Sequence, residues 1–267
     1  MFNCRHILSA AIATAFLCAA AAGDEQLTKE DLAKVVKTDA VTVPTPGELM
    51  AALNKQGKPN WSSEFRAPIP ATFSSRPQIA LNLGGLIADG YIAVEAENAQ
   101  QVKNTGGDII RLAQTLNVKK DILARVGTIT DLARDGQWDA LKEEMEETQN
   151  EVKQGMEDQN DQELVVLVTI GGWVRGTQAV SSWIADNYTP DAAKLLRQPA
   201  LVAYMRAKLA KLPAKTLRDP IVATLDARLA AIEKLVSFPK DTAPTADDVK
   251  KLRDAAAALE KEISTKE

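Results

Sequence analysis

Apolar residues recur at three- and four-residue intervals along nearly the whole chain, and period-two alternation is almost absent. Thr28 with Asp31 opens a short amphipathic helix to about Lys37. Thr45-Pro46-Gly47-Glu48 then supplies an N-cap, a proline at the first helical position and a capping acid, with Gly57 as the stop. Between Lys58 and Pro77 the periodicity fails. Pro59, Pro68, Pro70 and Pro77 predict an extended segment, and Trp61, Phe65, Ile69 and Phe73 give it enough apolar surface to wrap a body.

Helical spacing resumes from Gln78 to about Glu97. Asn98 caps the next run, to about Leu116, and further helices follow over Lys119 to Arg134 and Trp138 to Met156. Asp161 caps a long apolar run to about Asp186. Thr189-Pro190, Gln198-Pro199 and Asp219-Pro220 each start another helix. Val41 to Val43 and Leu164 to Ile170 are the stretches with strand character. A lone strand has no partner for its backbone groups, so the second reads as helix. The pattern predicts an all-α bundle of about eight to ten helices.

The last run, Thr245 to Glu267, carries Val249, Leu252, Ala256, Leu259 and Ile263 at coiled-coil spacing. A seam of this kind either folds back on the body or docks a partner as an arm. Pro239 to Pro244 before it reads as a hinge. The expected organisation is a signal peptide over 1–23, a wrapping segment over 24–77, a helical core over 78–238, and a hinge with C-terminal helix over 239–267.

One internal similarity bears on the core. Leu83-Gly84-Gly85-Leu86-Ile87 resembles Ile170-Gly171-Gly172-Trp173-Val174 in a second apolar helix, which suggests a weak internal duplication. Paired glycines let helix backbones approach closely, so the two helices are expected to cross. Asp89 and Arg175 would then meet inside apolar surroundings, where charges are tolerated mainly as pairs. Asp89, Glu95 and Arg175 are the candidate ligand-binding residues. They form either a structural ion pair or a polar patch in a cleft.

Composition narrows the chemistry. His6, Cys4 and Cys18 are the chain's only histidine and cysteines. They lie in a start that reads as a secretory signal: Arg5, an uncharged run from Ile7 to Ala22, and small residues at a cleavage site near Gly23. Cleavage would leave roughly 245 residues without imidazole or thiol. Ser-His-Asp and Cys-His catalysis, Cys/His zinc sites and histidine-ligated haem would then be excluded. Neither cysteine sits where acylation is expected, so a lipoprotein is disfavoured. No other apolar run before a charge reaches spanning length, since Leu164 to Val174 ends at Arg175.

Loss of Arg5 leaves 31 basic and 36 acidic side chains, a net charge of −5 dispersed along the chain. That balance argues against nucleic acid. Gly171 to Thr177 lacks the lysine of a phosphate loop, and Asp158 to Glu163 has Glu163 where a calcium loop needs glycine. No metal or cofactor is expected. The sequence therefore favours an exported, periplasmic, non-enzymatic binding or scaffold protein for a protein or envelope component. The alternatives are a carboxylate-dependent hydrolase of an envelope polymer, using Asp89 or Glu95, and a carrier of a small anion held by Arg175.

Overall fold

Two helices that carry glycine pairs run side by side through the centre of the molecule. In a computed structural model, residues 46–70, 72–118, 120–158 and 161–265 are described. The segment Thr42–Glu267 forms one compact unit. The signal sequence, the helix expected at Thr28 to Lys37 and the strand-like Val41 to Val43 lie outside the described residues.

The helices are α1 (Pro46–Asn54), α2 (Arg76–Glu95), α3 (Ala99–Thr115), α4 (Lys120–Arg134), α5 (Trp138–Asp158), α6 (Gln162–Asp186), α7 (Pro190–Lys194), α8 (Pro199–Leu209), α9 (Ala214–Leu217), α10 (Pro220–Val236) and α11 (Ala246–Ser264). Among the described residues there is no strand, so Leu164 to Ile170 is helical. With α7 and α9 only about a turn long, the described residues form nine longer helices, within the expected eight to ten.

Side-chain caps set five of the helix starts, whereas Asp161, expected to cap α6, makes no capping hydrogen bond. Asn98 accepts from Gln101 N, Thr189 from Ala192 N and Asp219 from Ile221 N. Thr245 and Asp248 form a reciprocal capping box at the start of α11. One boundary differs from expectation. α2 begins at Arg76 rather than Gln78, because Ser75 accepts from Gln78 N and Pro77 fits the first turn, where its missing N–H is no loss.

α2 and α6 are parallel. Arg76 reaches Asp161 at their starts (3.2 Å), and Asp89 meets Arg175 further along (2.7 Å). Between these points Gly84 and Gly171 form a reciprocal crossing. A Cβ on Gly84 would lie 2.7 Å from Gly172 N and collide with the carbonyl oxygen of Val168. A Cβ on Gly171 would lie 2.7 Å from the carbonyl carbon of Leu81. The expected crossing is therefore present, and close backbone contact calls for glycine at Gly84 and Gly171. Among the described residues α6 is the one helix long and apolar enough to cross a membrane, but it is mostly buried by its neighbours.

α11 packs antiparallel to both. Its C-terminal carbonyls take hydrogen bonds from Gln78 and Asn82 of α2, whose amides reach Ile263 O at 3.2 and 2.8 Å. Val249, Leu252, Ala256, Leu259 and Ile263 are all buried, chiefly against α6, α10 and α2. Of the two readings of this seam, folding back on the body is the one the structure shows, and the five residues are covered by the chain's own core. Heptad spacing specifies an apolar stripe without specifying what covers it. The preceding segment is also tied down: Tyr188 donates to Pro244 O (2.8 Å) and Arg197 to Phe238 O (2.7 Å).

The proline-rich segment lies on the core, and it is not extended throughout: Trp61–Glu64 forms a 3-10 turn. Trp61 and Phe73 are buried, while Phe65 and Ile69 pack partly buried on the core. Trp61 Nε1 also donates to Asn54 Oδ1 at 3.0 Å, tying the wrap to α1.

Candidate functional site

The charges singled out in the sequence lie in a buried ionic network. Asp89 sits on α2, one turn and a residue past Gly84, and Arg175 sits one turn past Gly171, so the glycine crossing brings them together. Arg175 is 2% exposed and Asp89 8%. Arg175 Nε donates to Asp89 Oδ1 (2.7 Å), Nη2 donates to Glu64 O (2.5 Å), and Nη1 donates to Gln178 Oε1.

Arg66 takes the other side of the same carboxylate. Its Nε donates to Asp89 Oδ2 at 2.7 Å. Its Nη2 stands 2.6 Å from that oxygen in ion-pair contact, but at an angle that makes no hydrogen bond. Nη1 pairs with Glu260 of α11. The network therefore joins the wrap, α2, α6 and α11. A Cβ on Gly85 would come within 3.2 Å of Arg66 Nη2, so that glycine leaves room for the second guanidinium. Burial lowers the pKa of Arg66 first, and the neighbouring Arg175 adds to this, while Asp89 opposes both.

Sequence reasoning missed Arg66, Glu64 and Glu260. Arg66 lies in a segment with no helical period, and Glu260 reads as the wet side of a helix. The one available signal was that a buried aspartate offers two oxygens and Arg175 engages one.

Glu64 is held near Arg175, with Oε2 4.0 Å from Nη1. Burial raises its pKa above the ordinary 4.5, and this outweighs the hydrogen bond from Ser182 and the charge of Arg175. The folded state then binds a proton more tightly than the unfolded state. Glu64's contribution to stability is complete below pH 4.5 and is lost as pH rises through the raised value. Urea unfolding of Glu64→Gln across pH 4 to 7 is therefore expected to show a flatter fall of stability with pH than the parent. An unchanged slope would mean that Glu64 titrates normally.

Glu95 belongs to a separate group. It accepts from Asn54 Nδ2 (2.6 Å) and pairs with Lys142 (3.0 Å). The structure thus brings Asp89 and Arg175 together and leaves Glu95 in another network.

Two hollows flank α3. One, of about 100 Å³, is lined by Arg66, Asp89, Asn104, Asp108 and neighbours. Two acids face it beside a guanidinium already paired to Asp89, which is a poor environment for an anion. The other, of about 80 Å³, lies among α2, α3, α4 and α5, with Ile87, Gly90, Ile109, Val126, Ile129 and Met145 in its wall. Its lining is almost wholly apolar. It sits where the main core meets a satellite cluster that includes Val102, Ala133 and Leu141. Among the described residues no group of three acidic, histidine or cysteine side chains is placed to hold a metal ion. No protein-family model, curated protein or solved structure matches the chain.

Proposed function

We propose that this chain is an exported, non-enzymatic helical binding protein of the cell envelope, and that it binds through the apolar hollow between α2 and α5. The observation that carries this reading is the hollow itself: a partly open pocket with almost no polar wall, set between closely packed helices. Apolar surface left uncovered between helices costs free energy that a bound apolar group would recover.

The commitment of both Asp89 oxygens to arginines favours binding over hydrolysis at that residue. General acid or base work needs a carboxyl free to face substrate. Arg175 is likewise spent on Asp89, Glu64 and Gln178, which weighs against an anion carrier built on it.

Native mass spectrometry of the protein purified gently from its own host's envelope tests the reading. A discrete small-mass adduct is expected, and it should be lost when Ile109→Trp fills the hollow. A bare protein would overturn the reading. So would turnover of a cell-wall polymer that disappears in Asp89→Asn.

A further inference from the structure

We infer that the ligand of the apolar hollow is the uncharged hydrocarbon portion of a small molecule, a short aliphatic chain or a single ring. This deepens the binding reading above and rests on it for its biological use.

The walls decide the ligand class. The polar side chains that reach the lining are Tyr91, Thr148 and Gln149, and both hydroxyls and the Gln149 carbonyl oxygen are engaged. Tyr91 Oη donates to Gln149 Oε1 at 3.1 Å, and Thr148 Oγ1 to Glu144 Oε1 at 3.5 Å. The guest therefore meets aliphatic side chains and the one ring of Tyr91, with few polar atoms to orient it. An apolar pocket of this kind accepts an apolar guest, whereas a polar guest would leave its own hydration unreplaced.

Size and charge narrow the choice further. About 80 Å³ holds a few methylenes or part of one ring, so a chain such as octyl seats its end there with the remainder in the open mouth, and a whole lipid does not fit. The surrounding charge disfavours an anionic head. Among the described residues Glu144, Glu147 and Glu151 of α5 gather on Arg125 of α4, three acids to one cation beside Thr148. A carboxylate or phosphate emerging there would meet like charge.

Local packing keeps the space open. A Cβ on Gly90 would lie 3.4 Å from Met145 Cε and 3.9 Å from Ile109 Cδ1, so glycine here is not forced by a clash. Its missing side chain is part of the void. At Gly106, by contrast, a Cβ would come within 2.9 Å of Val126 Cγ1, which fixes how closely α3 and α4 approach beside the hollow.

Methionine methyls give a local readout. Met145 lines the hollow, whereas Met50 and Met205 are buried in the main core away from it. The purified protein, labelled with ¹³C at the methionine methyls, is titrated with 1-octanol and separately with octanoate. The Met145 signal is expected to shift saturably with 1-octanol while Met50 and Met205 stay fixed, and octanoate should bind at least tenfold more weakly. Ile109→Trp should abolish the shift. Gly90→Val serves as a second filling variant should the first fail to fold, and it should weaken the response at least tenfold.

The inference is overturned if Met145 does not move, if all three methyls move together, or if folded filling variants respond like the parent. Equal binding of octanoate would refute the uncharged class while leaving the hollow a binding site. A native adduct that survives in Ile109→Trp would refute the location and leave only the wider binding reading.

Discussion

Gly84→Ala and Gly171→Ala are each expected to destabilise the fold by about 3 kcal/mol or more, as measured by urea unfolding. Alanine is otherwise the better helix former, by about 1 kcal/mol, so helix propensity alone predicts the opposite sign. Packing decides. The new methyl from Gly84 meets the carbonyl of Val168, and the one from Gly171 meets the carbonyl of Leu81. Those atoms belong to backbone inside two central helices, so neither can turn aside as a side chain would. The helices must separate, and separation loosens the contacts of Leu81, Leu83, Val168 and Ile170 together. A loss of this size is a large share of a typical domain's 5–15 kcal/mol. The chain supplies its own controls: a Cβ at Gly107 or Gly127 meets nothing within 4 Å, and alanine there should add about 0.5–1 kcal/mol. If Gly84→Ala matched the stability of Gly107→Ala, the close crossing would be wrong.

The crossing also shows how far the sequence alone leads. Two Gly-Gly pairs in apolar helices are a local signal with a specific physical meaning, and they lead to the contact between Asp89 and Arg175. Caps such as Asn98, Thr189, Asp219 and Thr245 are equally local, so the helix starts they set are readable. What the chain pattern does not encode is the identity of a neighbour. The stripe from Val249 to Ile263 looks the same whether it faces α6 or another molecule. Arg66 gives no signal because the wrap has no period to mark an inward position. The hollow beside Gly90 is least legible of all. It is defined by side chains from four helices that fail to meet, and no single segment carries that information.

Asp89→Asn should cost about 3–5 kcal/mol, the range for removing one partner of a buried ion pair. The asparagine keeps the shape but leaves Arg175 and Arg66 facing each other without the carboxylate between them. Arg175→Met should cost less, because Asp89 keeps Arg66, whose remaining contact reaches Glu260. The two changes should not add. Once Asp89 is neutral, removing Arg175 also relieves an unpaired buried cation, so Asp89→Asn with Arg175→Met should be cheaper than the sum by roughly 0.5–3 kcal/mol. Denaturant midpoints of the two single variants and the double variant measure this coupling directly. Strict additivity would show that the pair does not interact as its 2.7 Å contact implies. A more demanding variant replaces the set with hydrocarbon: Asp89→Leu, Arg175→Met and Arg66→Met. Buried ionic clusters exchanged whole for well-packed apolar groups are often neutral or stabilising. Recovery of stability here, with the small-mass adduct retained, would mean that the network fixes how the wrap, α2, α6 and α11 fit together and takes no part in binding. Recovery of stability with the adduct lost would move the ligand from the apolar hollow to the arginine cluster.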